Sequence, residues 1–316
     1  MLISLDEAIA KLKHGEVVAI PTETVYGLAA DASNEDALRQ IYAIKERPAD
    51  NPLIVHIASI DKVNDWAAEF PPLAQRLASA FWPGPFTLIL PAHKTVSKIL
   101  TAGEPTIALR VPNHALTLAL LKQCDLALAA PSANKYTQLS PTTASHVVSG
   151  LGEEIPVLDG GACTIGIEST IVSIVGDDWQ LLRQGMVTEE AILAIAGRPA
   201  LMNAFNVPKA PGQHLLHYSP RTRLLLFKDK ATLLTNFQTL SLAQLKCAAL
   251  LIGEGEAPKC EVIQLANQPD QVAEQLYSAL HTLDALKVDR LLVELPPDMP
   301  AWAAVRDRLI RAGYDS

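Results

Sequence analysis

The sequence predicts an α/β protein of two domains: a larger one with a mixed sheet and flanking helices, and a smaller, doubly wound one. Short apolar strands alternate with amphipathic helices along the chain, the pattern of sheets layered with helices. The 316 residues exceed the roughly 100–200 of one typical domain. Charge is also uneven, because residues 1–200 carry 14 basic and 22 acidic side chains and residues 201–316 carry 12 of each.

The larger domain is predicted to span residues 1–197. A capping box at Ser4 and Glu7 predicts a first helix, which Gly15 ends, and Asn34 begins a second helix that runs to about residue 45. A Gly-Asp-Asp turn separates the last two strands, which indicates a hairpin and therefore a mixed sheet. The predicted strands cover 17–20, 53–57, 87–90, 106–111, 126–130, 169–175 and 179–183, and further helices cover 73–81, 115–122 and 189–196.

Residues 198–222 interrupt this rhythm. The stretch from 197 to 222 contains four prolines and no acidic residue, and it includes His-Tyr-Ser-Pro at 217–220. A passive interdomain linker has this composition, but long segments without regular structure are also typical of lids and binding loops. The specific His-Tyr-Ser-Pro sequence favours a lid over the larger domain.

Residues 223–316 predict the small, doubly wound α/β domain. Its apolar runs are short, as in parallel strands that are covered on both faces. The predicted strands cover 224–227, 248–252, 261–265 and 290–295, and the helices cover 271–286 and 302–312.

The composition argues against several classes of protein. A net charge of −8 and 5% aromatic residues argue against nucleic acid or an anionic membrane as the main partner. Asp6 and Glu7 stand where a signal peptide needs bases, and no apolar run approaches the ~18 residues of a membrane span. The four cysteines are too dispersed to form paired metal ligands. We therefore expect a cytoplasmic protein with no membrane association.

Polar and basic side chains follow the ends of the predicted strands, which is where α/β sheets bind ligands. The clusters are Thr22-Glu23-Thr24, Lys45 with Arg47 and Asn51, Arg110, Ser132 with Asn134 and Ser140, and Ser169 with Arg183. Several of them also have a simpler interpretation. The threonines could close a turn, Lys45 and Arg47 could complement a helix dipole, and His56 could be a core histidine.

Arg110 interrupts an otherwise apolar strand. A buried arginine is costly unless it is paired, so a structural salt bridge and a clamp for a ligand carboxylate are equally compatible with the pattern. Together the clusters bring Lys45, Arg47, Arg110 and Arg183 among hydroxyls and amides of an acidic domain. This combination predicts a pocket for a multiply charged anion, such as a nucleotide, and a small polar molecule.

Seven motifs in order carry a resemblance to a known family. They are Pro-Thr-Glu-Thr-Val-Tyr-Gly-Leu (21–28), Lys-x-Arg-Pro (45–48), Asn-Pro-Leu-x-Val-His (51–56), Trp-Pro-Gly-Pro-x-Thr (82–87), Leu-Arg-Val-Pro (109–112), Pro-Ser-Ala-Asn (131–134) and Glu-Ser-Thr-Ile-Val (168–172). In order and spacing they resemble the YrdC-like family. Residues 198–222 and 223–316 resemble the linker and the small Rossmann-like C-terminal domain of the family's long form. The resemblance implies the twisted mixed sheet of that family.

The resemblance also implies an activity and its residues. The chain would be a nucleotidyltransferase that condenses L-threonine, bicarbonate or CO2, and ATP into threonylcarbamoyl-AMP and pyrophosphate. Mg²⁺ would accompany ATP, and a tRNA threonylcarbamoyl-transferase complex would take up the product to make N6-threonylcarbamoyladenosine. By motif, threonine would be held by Thr24, His56, Arg110, Ser169 and Ala130. ATP would be surrounded by Lys45, Arg47, Asn51, Thr106, Ser132, Asn134, Ser140, Arg183 and Tyr218.

Other functions stay open at this point. A tRNA- or double-stranded-RNA-binding module would show salt-sensitive RNA binding without ATP. A related enzyme on the same fold would act on another carbamoyl or acyl substrate, independently of threonine or bicarbonate.

Overall fold

The computed structural model describes residues 1–175, 178–199, 208–212 and 217–314. Its contacts divide the chain into two units. The first comprises Met1–Tyr136, Pro141–Thr164 and Glu168–Gln213, and the second comprises Thr137–Ser140, Ile165–Ile167 and His214–Ser316. Two short segments, 137–140 and 165–167, therefore belong to the second unit although the chain around them belongs to the first.

Within the described residues, the first unit is organised by a ten-stranded mixed sheet. Its strands are β1 (Leu2–Ile3), β2 (Val18–Ile20), β3 (Gly27–Asp31), β4 (Ile54–His56), β5 (Phe86–Pro91), β6 (Thr106–Arg110), β7 (Leu128–Ala129), β8 (Val157–Leu158), β9 (Thr170–Val175) and β10 (Asp178–Arg183). Their spatial order is β1-β8-β2-β3-β7-β4-β6-β5-β9-β10. All seven strands predicted for this domain are confirmed, and β1, β3 and β8 are additional.

The predicted hairpin and the mixed character of the sheet are also confirmed. Strand β10 pairs antiparallel with β9, with Trp179 opposite Ile174, while β9 pairs parallel with β5. Residues 176 and 177 of the predicted turn lie outside the described residues. The hairpin places Arg183 next to the start of β9, which bears on the site below.

Helices cover the first unit between these strands. They are α1 (Leu5–Lys13), α2 (Glu35–Lys45), α3 (Pro72–Phe81), α4 (Lys98–Thr101), α5 (Ala115–Cys124), α6 (Ala144–Leu151) and α7 (Glu189–Ala196), with a 3₁₀ helix at Ile60–Asp65. The predicted caps are confirmed. Ser4 and Glu7 form a reciprocal capping box, and the Asn34 side chain accepts hydrogen bonds from the backbone N–H groups of Asp36 and Ala37.

Side chains of the central strands alternate between two faces of the sheet. One face contributes Val55, Leu88, Leu109 and Val172 to the main core. The opposite face carries a smaller buried cluster of Ile54, Ile89, Ala108 and Ile171. Because successive residues of a strand point to opposite faces, polar residues two positions from this second cluster share its face.

The second unit contains a four-stranded, fully parallel sheet, as far as the described residues show. Its strands are β11 (Leu224–Phe227), β12 (Cys247–Ile252), β13 (Glu261–Leu265) and β14 (Arg290–Glu294), in the order β11-β14-β12-β13, and its helices are α8 (Lys230–Leu242), α9 (Pro269–Ala285) and α10 (Ala303–Ala312). All four predicted strands are confirmed. Helix α8 escaped prediction because little of it is buried besides Leu233, so its apolar periodicity is weak.

Among the described residues, none of the helices has the length and apolar character that a bilayer span requires.

Candidate active site

Sheet register brings three predicted residues, His56, Arg110 and Ser169, onto the face opposite the main core together with Thr87. His56 at the end of β4 is the register partner of Arg110 at the end of β6. On the neighbouring strands, Thr87 is the partner of Ile171, and Ser169 lies two residues before Ile171. All four polar side chains are buried, although they occupy a face that the main core does not cover.

Arg110 is held by three groups. Its Nε donates to the carbonyl oxygen of Gly84 at 3.1 Å, and its Nη1 donates to Oγ1 of Thr24 at 2.9 Å. Its Nη2 lies 2.7 Å from Oε1 of Glu23, and the two side chains are 4% and 5% exposed. Arg110 therefore forms a structural salt bridge, which was one of the two interpretations compatible with the sequence. A carboxylate clamp remains compatible with it, since the guanidinium presents several donors.

The loop after β2 divides its threonines between two tasks. Thr22 Oγ1 donates to the Val25 carbonyl oxygen at 2.6 Å and accepts from the backbone N–H of Thr24 and Val25. Thr22 therefore closes a turn, as the simpler interpretation has it. Thr24 instead directs its hydroxyl at Arg110, and the turn carries Glu23 to the same guanidinium.

His56 is a neutral histidine at physiological pH. Burial, and after it the nearby Arg110 charge, lower its pKa to about 3. A neutral imidazole beside a buried cation can exchange hydrogen bonds with a ligand, but it adds no charge.

Ser169 and Arg183 form a second polar group on the same face. Ser169 Oγ lies 2.7 Å from the Thr87 hydroxyl and accepts from Arg183 Nη2 at 3.1 Å. Arg183 Nε also donates to the Ser169 carbonyl oxygen at 2.9 Å. Its Nη1 donates to the Pro211 carbonyl oxygen at 3.1 Å, which ties the 208–212 segment to the sheet.

The same segment covers the apolar part of the face. Ala210 is 3% exposed and belongs to one buried cluster with Ile54, Ile89, Ala108 and Ile171. Residues 208–212, which lie within the stretch predicted as linker or lid, therefore pack on the first unit.

Lys45 anchors a third group, beyond the end of β7. Its ammonium donates to the carbonyl oxygens of Ser132 and Asn134, at 2.5 and 2.6 Å. The pKa of Lys45 is lowered well below its usual value, mainly by burial and also by the charges of Arg47 and Lys135. The side chain therefore serves the 132–134 loop rather than only the end of helix α2.

Arg47 and Asn51 continue this group. Arg47 Nη2 donates to the Pro52 carbonyl oxygen at 3.0 Å, and its guanidinium carbon lies 5.8 Å from the centre of the Tyr136 ring. Asn51 Nδ2 donates to the Tyr136 hydroxyl at 3.5 Å. Both predicted residues are buried, and the planar guanidinium of Arg47 lies next to the residues that lead into strand β4.

The predicted residues thus fall into several sets. His56, Arg110 and Ser169 share the sheet face opposite the main core, and Thr24 and Arg183 contact Arg110 and Ser169 there. A second set lies around the 132–134 loop and the start of β4, and it comprises Lys45, Arg47, Asn51, Ser132 and Asn134. Ala130 comes two residues before Ser132 and donates its backbone N–H to the Ile54 carbonyl oxygen. Thr106 begins strand β6, four residues before Arg110 and so about 13 Å along the strand from it.

Ser140 and Tyr218 belong to the second unit. Tyr218 is buried in a left-handed conformation, with φ of 62°, which is uncommon for a residue other than glycine. The Arg308 guanidinium carbon lies 5.1 Å from its ring centre, and the Tyr277 ring lies 5.9 Å from it. These contacts hold the tyrosine of His-Tyr-Ser-Pro in the C-terminal part of the chain.

Sequence reasoning left Thr87 and the Pro211 carbonyl oxygen out of its site set, and it named Glu23 among the polar clusters without predicting its partner. Thr87 bonds to Ser169, Glu23 pairs with Arg110, and the Pro211 carbonyl oxygen accepts from Arg183. Thr87 and Glu23 lie inside two of the seven motifs, which was an available signal. The carbonyl of Pro211 offers no side-chain signal at all. In the part of the chain that is described, no group of three or more His, Cys, Asp or Glu side chains is placed to hold a metal ion.

The fold and the polar residues on the sheet face opposite the main core define a class of α/β protein. Its mixed sheet carries buried cations and hydroxyls, which suit an anionic ligand and a small polar one. The Sua5, YciO and YrdC family model, described as telomere recombination, matches residues 10–185. A second model, described as threonylcarbamoyl-AMP synthase, C-terminal domain, matches residues 187–313. The chain belongs to the Sua5, YciO and YrdC family.

Similar proteins cover nearly the whole chain. Threonylcarbamoyl-AMP synthase of Bacillus subtilis (strain 168) is 39% identical over 317 residues, which are 97% of this chain and 92% of that protein. The protein of the same name from Pyrococcus abyssi is 37% identical over 313 residues, 96% of this chain and 92% of that protein. The crystal structure of P. abyssi Sua5 complexed with L-threonine matches with a TM-score of 0.91 and 33% identity, covering 99% of this chain and 98% of that one. The resemblance and the fold class predicted from the sequence are confirmed.

Proposed function

We propose that this protein is an L-threonylcarbamoyladenylate synthase, which condenses L-threonine, bicarbonate or CO2, and ATP into threonylcarbamoyl-AMP and pyrophosphate. The observation that carries the proposal is the presence of two groups of buried cations, Arg110 with Arg183 and Lys45 with Arg47, in a chain whose relatives bear this name. The reaction brings a carboxylate-bearing substrate together with a polyphosphate substrate, so it requires cations at two places.

In this proposal threonine binds on the sheet face opposite the main core, among the polar side chains around Arg110. Arg110 grips its carboxylate, because the guanidinium is buried and pre-positioned by Gly84 and Thr24. Thr24, Ser169 and the neutral His56 supply hydrogen bonds to the remaining polar groups, and Ala130 supplies backbone.

ATP binds beside threonine. Lys45 and Arg47 face the phosphates, with hydrogen bonds from the amides and hydroxyls around them. The other contacts proposed for ATP are Asn51, Thr106, Ser132, Asn134, Ser140, Arg183 and Tyr218. Mg²⁺ arrives with ATP, bound mainly by phosphate oxygens and water.

The chemistry needs positioned substrates rather than a nucleophilic side chain. The threonine ammonium first loses a proton, and the resulting amine bonds to the carbon of CO2 and loses a second proton, which gives a carbamate. A carbamate oxygen then bonds to the α-phosphorus of ATP while the bond to the bridging oxygen breaks and pyrophosphate leaves. The buried cations stabilise the charge that develops on the phosphates, and the 208–212 segment excludes water from the labile mixed anhydride.

We further propose that the product is handed to a tRNA threonylcarbamoyl-transferase complex. A mixed anhydride reacts readily with water, so a dedicated acceptor has to collect it. The tRNA adenosine is the acceptor that the family resemblance implies.

The test is pyrophosphate release by the purified protein with ATP and Mg²⁺, with L-threonine or bicarbonate omitted in turn. Mass spectrometry identifies the nucleotide product. We expect release that requires both substrates and a threonylcarbamoyl adenylate as product. Release that is indifferent to threonine or bicarbonate would favour another carbamoyl or acyl substrate on the same fold.

An RNA-binding measurement separates the remaining alternative. We expect tRNA to be unnecessary for pyrophosphate release. A protein that releases no pyrophosphate but binds tRNA without ATP, with an affinity that falls steeply as salt rises, contradicts the synthase proposal and supports the RNA-binding module.

A further inference from the structure

Glu23 is a buried carboxylate that the proposed set of substrate contacts leaves unused. It stands between Thr22 and Thr24 in the loop after strand β2, and its side chain is 5% exposed. Its Oε1 lies 2.7 Å from Nη2 of Arg110, the arginine assigned above to the threonine carboxylate. The carboxylate is therefore at the place where threonine is expected to bind.

The hydrogen-bonding capacity of Glu23 is not filled. Among the described residues, neither of its oxygens accepts a hydrogen bond, although an ionised carboxylate offers about four acceptor positions. The contact with Arg110 is a close ion pair outside the geometry of a hydrogen bond. The two neighbouring hydroxyls are committed elsewhere, Thr22 to the Val25 carbonyl oxygen and Thr24 to Arg110 and Thr22.

A buried acceptor with vacant positions fits a ligand that brings its own donors. The α-amino group of an amino acid carries three N–H donors and a positive charge, one carbon away from the carboxylate. A ligand whose carboxylate meets Arg110 therefore places its ammonium within reach of a carboxylate that contacts the same guanidinium. Buried polar groups are normally satisfied, and charge-assisted hydrogen bonds satisfy them best.

We propose that Glu23 is a specificity-determining residue that accepts hydrogen bonds from the α-ammonium group of the amino-acid substrate. Glu23 and Arg110 then recognise the two ends of one zwitterion, and they compensate each other's charge when no substrate is bound. This inference rests on the proposed function, because it assigns the carboxylate end of threonine to Arg110.

A competing explanation is that Glu23 only orients Arg110. In that case Glu23 never touches the substrate, and its replacement weakens every ligand that binds through a carboxylate. The direct role weakens only those ligands that carry the ammonium group. The two explanations therefore differ in a ratio of affinities rather than in either affinity alone.

The experiment compares L-threonine with 3-hydroxybutanoate, which keeps the carboxylate and the hydroxyl but lacks the amino group. Binding is measured by calorimetry without ATP and bicarbonate, for the wild-type protein, Glu23→Gln and the matched surface control Glu16→Gln. We expect the wild-type protein and the control to prefer threonine by about 10- to 100-fold. In Glu23→Gln that preference falls at least about tenfold, because the amide has no charge to attract the ammonium. An equal loss for both ligands, with the preference unchanged, overturns the proposal.

A second measurement avoids any variant that folds poorly. In a crystal structure of the wild-type protein with L-threonine, we expect the threonine nitrogen within about 2.7–3.2 Å of a Glu23 oxygen. A nitrogen more than about 3.5 Å from both oxygens overturns the proposal. The pyrophosphate assay on the wild-type protein tests the proposed function separately, so loss of this inference leaves that result intact.

Discussion

Replacing Arg110 by methionine tests the ion pair and the clamp together. The change keeps a long side chain in the strand but removes the charge and the two hydrogen bonds to Gly84 and Thr24. It also leaves the carboxylate of Glu23 buried without its cation. We expect a large loss of stability and, independently, a loss of threonine use.

The magnitude follows from burial. Removing one partner of a buried ion pair costs about 3–5 kcal/mol, since the other charge stays desolvated. The side chains of Arg110 and Glu23 are 4% and 5% exposed, so solvent screening reduces this cost little. In domains of about 150–250 residues each kcal/mol lowers the melting temperature by about 2–4 °C, which predicts a decrease of about 6–20 °C. Adding Glu23→Gln removes the stranded charge and restores about 2–3 kcal/mol of it.

The assays are scanning calorimetry and threonine-dependent pyrophosphate release on the same preparations. We expect the half-saturating threonine concentration of Arg110→Met to rise about tenfold or more, and to stay high in the double variant. A melting temperature within about 2 °C of the wild type would refute the argument from burial. A double variant no more stable than Arg110→Met would refute the coupling, and unchanged threonine dependence would refute the clamp.

Three further predictions concern the rest of the site. We expect Lys45→Met to lower ATP-dependent pyrophosphate release about 100-fold or more and to retain threonine binding, because it removes the buried side chain that we propose for the phosphates. Lys62→Met, at an exposed lysine, should keep the wild-type rate, and equal rates for the two variants contradict the role of Lys45. The pKa of His56 is about 3 in the folded protein and about 6.5 in the unfolded chain, so the unfolded state binds the proton first and stability falls as pH drops from 6.5 towards 3. Urea unfolding at pH 4–8 measures this slope, which approaches about 1.4 kcal/mol per pH unit, and His56→Gln should flatten it. Ala210→Asp places a carboxylate on the apolar part of the sheet face, and we expect it to lower pyrophosphate release about tenfold or more. Lys209→Asp, at the exposed neighbouring position, should have little effect, and similar activities of the two variants argue against a covering role for residues 208–212.

Local signals predicted most elements of the fold. The Asn34 cap and the apolar spacing that follows it fix the start of α2, because a cap and a helical period are encoded by neighbouring residues. Strand β3 escaped because Gly-Leu-Ala-Ala-Asp has little intrinsic preference for a strand, and its pairing with β2 and β7 decides its conformation. Strands β1 and β8 are two residues each and pair with each other, so neither carries a pattern of its own.

Candidate site residues are easier to predict from a sequence than the side chains that they contact. Strand ends and motifs pointed to Arg110, Ser169 and Lys45, but both interpretations of Arg110 were compatible with its own segment. Its salt bridge depends on Glu23, which comes from a loop far away in the chain. Composition could not show that residues 208–212 pack on the sheet face, because a passive linker and a lid are both rich in proline.

The sequence alone determined which segments are strands and helices, which side chains are apolar or charged, and which family the motifs resemble. Only the tertiary structure decided which of them meet. Ser169 reaches Thr87 across 82 positions, and Lys45 reaches Ser132 across 87. Periodicity and caps act over a few residues and so can be read locally. Contacts across such separations depend on strand order and register, which the packing of the whole sheet selects.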